Sequence, residues 1–122
     1  MQAVQDKGIK RYIIISTVFS LDTNKWDQPG IADLKEDYIC KHYADQWLVE
    51  NSTLDYTIVQ AGALKGRAGT GKIIVNDDNA GENAIEDVAT TLAAVLNADN
   101  TIKKVFSMHN GETAIDAALA KL

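Results

Sequence analysis

The stretch Arg11-Tyr12-Ile13-Ile14-Ile15-Ser16-Thr17 decides the fold. It is a β-branched run with little polar alternation. A strand that is apolar at successive positions must be covered on both faces, the pattern of a parallel sheet held between helices. Leu54-Asp55-Tyr56-Thr57-Ile58-Val59-Gln60 reads as a second strand, residues 104–108 as a third, and residues 72–75 as a short one. Helical periodicity fills the gaps. In residues 33–51, Cys40, Ala44, Trp47 and Leu48 share one face at 100° per residue, with Tyr43 flanking it. In residues 84–98, Ile85, Val88, Ala89, Leu92, Val95 and Leu96 recur at three- and four-residue spacings. Residues 1–7 read as a helix end closed by Gly8, and residues 113–122 as a closing helix. Residues 19–30 read as a polar loop holding the only proline, residues 61–71 as a glycine-rich loop and residues 76–82 as a polar turn. Alternation of strands and helices predicts an α/β layer with right-handed parallel crossovers.

The remaining composition narrows the function. The chain has 122 residues, the size of one domain, and it shows no internal repeat or interdomain linker. Seventeen acids against twelve bases leave a net charge of −5, which disfavours a nucleic-acid surface. No apolar run is long enough to span a bilayer, and the first residues carry no signal-peptide core. A single cysteine, Cys40, excludes an intramolecular disulfide, and a cytoplasmic setting is the expectation. Cys40 lies on the apolar face of its helix and reads as a small buried residue.

Gly66-Arg67-Ala68-Gly69-Thr70-Gly71-Lys72 has nearly the spacing of a phosphate-binding P-loop. The next residue is Ile73, so the magnesium-binding hydroxyl is missing, and a strand follows where a P-loop opens a helix. The motif is therefore rejected. His42 and His109 have no acid-rich metal pattern beside them, and no metal is expected. Asp37, Lys41 and Asp45 are spaced four apart. They read either as a ladder of helix-surface ion pairs or as a row in which Lys41 reaches toward a ligand. Ser16 and Thr17 end the first strand, and Gln60, Ala61 and Gly62 end the second. Ligands of open parallel sheets bind outside the carboxyl ends of the strands, so these residues are the geometrical candidates for a site.

Several stretches, in order, carry a resemblance: residues 8–17, Lys41-His42-Tyr43-Ala44-Asp45, residues 54–64, Ile85-Glu86-Asp87-Val88-Ala89 and residues 106–111. Together they make the chain resemble the C-terminal part of an atypical short-chain dehydrogenase/reductase of the NAD(P)-binding, NmrA-like group. The resemblance implies a partial Rossmann-type parallel sheet flanked by helices, lacking the N-terminal nucleotide-binding half. It also implies NAD or NADP as cofactor, and oxidoreductase or epimerase-like chemistry on a small molecule. By the same resemblance Ser16 and Thr17 stand at the nicotinamide end, Lys41 matches the lysine that holds the cofactor ribose, and Gln60-Ala61-Gly62-Ala63-Leu64 matches the turn lining the nicotinamide. The family's proton-donor tyrosine, four residues before that lysine, is Asp37 here. Tyr38 comes one residue late, about 100° further round the helix.

Two expectations follow. The glycine fingerprint that anchors the diphosphate does not occur in these residues, so residues 1–122 read as a single domain that is the second half of a Rossmann enzyme, inactive alone. The alternative is a non-catalytic nucleotide-sensing module, which the Asp37 replacement favours. The apolar strand 11–17 is also expected to be an exposed sheet edge, and so to self-associate or to pair with an N-terminal half.

Overall fold

A computed structural model describes residues 1–122. Strand β1 (Arg11–Thr17) follows a one-and-a-half-turn helix α1 (Gln2–Asp6), and Gly8 takes the left-handed conformation (φ 73°) that turns the chain into it. Then come α2 (Lys35–Asn51), β2 (Asp55–Ala61), β3 (Ala63–Lys65), β4 (Lys72–Val75) and β5 (Glu82–Ala84). Helix α3 (Ile85–Val95), β6 (Lys104–Asn110), β7 (Thr113–Ala114) and α4 (Ile115–Ala120) complete the order. The main sheet runs β1-β2-β6-β4-β7. β1, β2 and β6 are parallel, whereas β4 is antiparallel to both β6 and β7. The fold is thus α/β with a mainly parallel sheet, and β1 has a neighbour on one side only.

Strand periodicity explains the layers. Along β2, Tyr56 and Ile58 join one cluster with Leu48 and Leu54, while Val59 and Ala61 join another with Val88, Phe106 and Leu119. β1 alternates the same way, Tyr12 and Ile14 toward the first cluster, Ile13 and Ile15 toward the second. Both faces of the parallel strands are therefore covered. Each fully buried side chain of this size contributes about 1.5–3 kcal/mol.

The differences from the sequence reading are local. The glycine-rich loop and the polar turn each hold a short strand, β3 and β5, which pair with each other in parallel. The closing helix begins two residues late, because Thr113 and Ala114 pair with β4 first. Residues 19–30 are only partly polar in effect. Phe19 and Ile31 are buried with Val18 and Tyr38 in a third cluster, packed against Trp26.

The reading of α2 needs correction. Cys40 is exposed, and Ala44 and Trp47 are only half-buried. The buried residues are Tyr38, Asp45 and Leu48, which fall within about 80° of one another at 100° per residue. Apolar residues surround this helix on all sides, with Ile39, Tyr43 and Val49 exposed. An apolar stripe centred on Cys40 was therefore not the stripe the fold uses. The ion-pair ladder is also absent: Asp37, Lys41 and Asp45 form no salt bridge, and Asp45 points into the interior.

Candidate functional site

Parallel register sets the carboxyl ends of β1 and β2 side by side, Ser16 opposite Gln60 and Thr17 opposite Ala61. Just beyond them lies a cleft of about 400 Å³. Its walls include Thr17, the turn residues Ala61, Gly62, Ala63 and Leu64, Ile31 and Leu34 from the segment before α2, and Ala80 and Gly81 from the segment before β5. Gly62 is required there, because a methyl group would collide with the carbonyl oxygens of Ala80 and Gly81. Gly81 in turn lies against the His109 ring. That ring is held between Asp77 Oδ2, 2.7 Å from Nε2, and the Asn110 carbonyl, 2.8 Å from Nδ1. The hydrogen bond to His109 keeps the Asp77 carboxyl below its ordinary range.

Tyr38 also lines the cleft, with only 4% of its surface exposed. Its ring meets Trp26 edge-on at a centroid distance of 5.7 Å. Burial pushes the phenol upward, with the neighbouring Thr17 hydroxyl pulling the other way, so Tyr38 is a neutral hydroxyl at neutral pH. Thr17 Oγ1 is itself buried and lacks a hydrogen-bond partner of good geometry. Periodicity measured from Cys40 placed Tyr38 poorly; in the structure it belongs to the buried face, at the edge next to Asp45.

Ser16 does not face the cleft freely. Its hydroxyl donates to Asp45 Oδ2 at 2.5 Å, and Ser20 donates to the same oxygen at 2.6 Å. Gln60 Nε2 donates to Ser20 Oγ at 2.8 Å, and His42 Nδ1 donates to the Ser20 carbonyl at 2.9 Å. This network fastens α2 to the carboxyl ends of both parallel strands. Asp45 is fully buried, and its Oδ1 has no partner. Spacing gave no sign of this role, because a carboxylate on a helix is usually solvated. Phe19, two residues beyond β1, adopts a left-handed backbone (φ 65°). Such a conformation in a bulky residue costs of order 1–3 kcal/mol and clusters near ligand sites. Gln60 opens on a separate, polar depression with Asp22, Lys25, Asp77 and Asp78.

The other candidates lie elsewhere. Asp37 is exposed and outside the cleft. Lys41 is half-buried, makes no ion pair and also stands outside the cleft wall. Thr17 and residues 61–64 are thus brought together with Tyr38, and Ser16 and Gln60 are joined behind them.

The glycine-rich loop has a different employment. Gly69 N donates to Glu86 Oε2 at 2.9 Å, Thr70 N to Asp87 Oδ2 at 3.0 Å and Gly71 N to Asp87 Oδ1 at 2.8 Å. Asn110 Nδ2 donates to Asp87 Oδ2 at 2.6 Å. Desolvation pushes the Asp87 carboxyl up, but these donors outweigh it and hold the group below its ordinary range. Amides already committed to carboxylates cannot cradle a phosphate.

Comparison with known proteins adds kinship. A family model described as NAD(P)H-binding matches residues 1–99. A Bacillus subtilis (strain 168) protein named "Uncharacterized sugar epimerase YhfK" is 37% identical over 123 residues, covering all of this chain and 55% of the relative. The crystal structure of the oxidoreductase ylbE from Lactococcus lactis is 47% identical, with a TM-score of 0.97 over 99% of this chain and 55% of that one. A structure described as a putative NAD-dependent epimerase/dehydratase from Bacillus halodurans is 32% identical, with a TM-score of 0.83 over 99% of this chain and 56% of that one. The chain spans about half the length of the relatives it matches.

Proposed function

The chain belongs to the NAD(P)H-binding family, and from that premise we propose that it carries the nicotinamide and substrate end of an NAD(P)-dependent oxidoreductase or epimerase of the atypical short-chain dehydrogenase/reductase, NmrA-like kind. One observation carries the reading: the carboxyl ends of two parallel strands, at Thr17 and Ala61, open together on the cleft. The buried Thr17 hydroxyl, which makes no well-formed hydrogen bond, fits the amide of a nicotinamide. The glycine-rich loop does not fit the diphosphate, since Glu86 and Asp87 occupy its amides.

When bound, the nicotinamide supplies or takes up hydride. The residues of this chain do the rest. Thr17 and the turn of residues 61–64 position the ring. Tyr38, a neutral donor, hydrogen-bonds a carbonyl oxygen of the substrate, and the apolar walls exclude water. Residues 1–122 alone bind the dinucleotide weakly and turn nothing over, because the diphosphate is the main anchor of such a cofactor. The exposed position of Asp37, outside the cleft, favours a second reading, a nucleotide-sensing module without turnover.

Titration of the chain with NADPH and NADH, followed by nucleotide fluorescence and a turnover assay, tests both. Saturable binding weakened by Thr17→Val supports the proposal. Absence of any binding, or binding indifferent to that substitution, overturns it. Turnover by the relative-length protein that Tyr38→Phe abolishes would reject the sensing module.

A further inference from the structure

Resting on the reading above, we propose that the cleft beside Tyr38 accepts a compact apolar carbonyl compound, an aryl or alicyclic ketone or aldehyde, and excludes sugars and sugar nucleotides. The wall carries 13 residues, none of them charged. Val18, Ile31, Leu34, Leu64 and Ala80 present hydrocarbon. The only side-chain polar groups among the 13 are the hydroxyls of Thr17 and Tyr38.

That ratio selects a ligand. A hexose has a hydroxyl on nearly every carbon, and each one buried against hydrocarbon gives up its water without replacement. A sugar nucleotide adds a diphosphate, for which the wall offers no cation. Lys25 faces the neighbouring polar depression instead, where it lies 3.8 Å from Asp78. A ring-sized apolar body with one acceptor oxygen strands no polar group of its own, and the Thr17 hydroxyl is left for the nicotinamide amide. The cleft of about 400 Å³, within the range of small-molecule sites, takes such a body beside the nicotinamide ring. Its oxygen meets the phenol, which Trp26 holds edge-on. Burial keeps that phenol protonated and able to donate.

The test uses the full chain and four probes, with ¹H–¹⁵N amide shifts as the readout. The probes are 2-acetylnaphthalene, its hydrocarbon counterpart 2-ethylnaphthalene, UDP-glucose and NADPH. The expected result is saturable binding of the ketone, with shifts at Thr17, Gly62 and Gly81, and no binding of UDP-glucose at those amides. Tyr38→Phe, which keeps the ring, weakens the ketone about tenfold, the loss of one hydrogen bond, and leaves the hydrocarbon unchanged. An amide spectrum of the Tyr38→Phe chain that is unchanged away from the cleft shows that its fold is kept. UDP-glucose binding in the cleft more tightly than the ketone overturns the inference. So does failure of the ketone to bind, or an equal loss for ketone and hydrocarbon in that variant. NADPH binding without ketone binding removes this inference and leaves the proposed function standing. Ketone binding without NADPH binding removes the nucleotide reading and leaves the chemistry of the cleft.

Discussion

Ser16 Oγ and Asp45 Oδ2 lie 2.5 Å apart, a buried contact that joins the carboxyl end of β1 to the middle of α2. Asp45 has no cation beside it and relies on the hydroxyls of Ser16 and Ser20. Ser16→Ala is expected to cost about 1–3 kcal/mol, the usual cost of leaving one partner of a buried hydrogen bond unsatisfied. Asp45→Ala costs more, since it strands two buried hydroxyls. The double variant loses less than the sum of the two, because both remove the same contact. Urea unfolding of the four proteins measures this; strictly additive losses would contradict the network.

The glycine-rich loop, held by Asp87, and the turn at residues 76–82, held by Asp77, are predicted to be acid-sensitive parts of the fold. Asp87 and Asp77 both titrate below the ordinary carboxylate range in the folded chain. As pH falls, the unfolded chain takes up protons first. The stability these carboxylates contribute is complete above about pH 4, the unfolded value, and is lost as pH falls through the folded one. Asp87→Asn removes about 2 kcal/mol at neutral pH by weakening charge-assisted bonds, and it flattens the acid limb of a stability–pH profile. A profile as steep as that of the parent would refute the assignment.

Gly62→Ala tests the wall of the cleft. The added methyl group meets backbone oxygens of Ala80 and Gly81 rather than a flexible side chain. The expected cost is about 1–3 kcal/mol, as for other overpacked sites. Amide shifts should move at Ala80 and Gly81. A neutral effect on both stability and shifts would show that this approach is looser than described.

Much of this architecture could be read from residues alone, for a physical reason. Unbroken apolar runs such as Tyr12 to Ile15 admit few arrangements other than a strand covered twice. In α3 the three- and four-residue spacing found Val88 and Val95, which are buried, and Leu92, which packs against them, but Ile85, Ala89 and Leu96 of the same series are exposed, and Asp87 and Thr91 are buried in their place. Helix α2 was harder. Its apolar residues surround the axis, so no stripe stands out, and the face was fixed by tertiary partners of Asp45 and Tyr38. The site was legible to the same extent. Strand ends pointed to Thr17, Ala61 and Gly62, because topology dictates where parallel sheets open; Ala63 and Leu64 came from the family resemblance alone. Tyr38 was misplaced along with its helix. The service of Asp87 to the loop of residues 69–71 depends on contacts sixteen or seventeen positions apart, which no local pattern records.

The free side of β1 leads to a prediction about association. β1 pairs with β2 alone, and an apolar strand with an open edge recruits another strand. We propose that the chain self-associates there, or pairs with a separately supplied N-terminal half. Sedimentation velocity over a micromolar concentration series should show a rising average mass. A concentration-independent monomer, with β1 amides exchanging freely on the open side, would speak against it.

A dinucleotide has two ends, and these residues are proposed to hold the nicotinamide one. Nicotinamide mononucleotide and ADP separate the two ends. Each is added to the ¹⁵N-labelled chain and followed by amide shifts. The nicotinamide half should perturb Thr17 and residues 61–64, while ADP leaves the spectrum unchanged. Saturable binding of ADP at Gly69, Thr70 and Gly71, with no response to the nicotinamide half, would contradict that proposal.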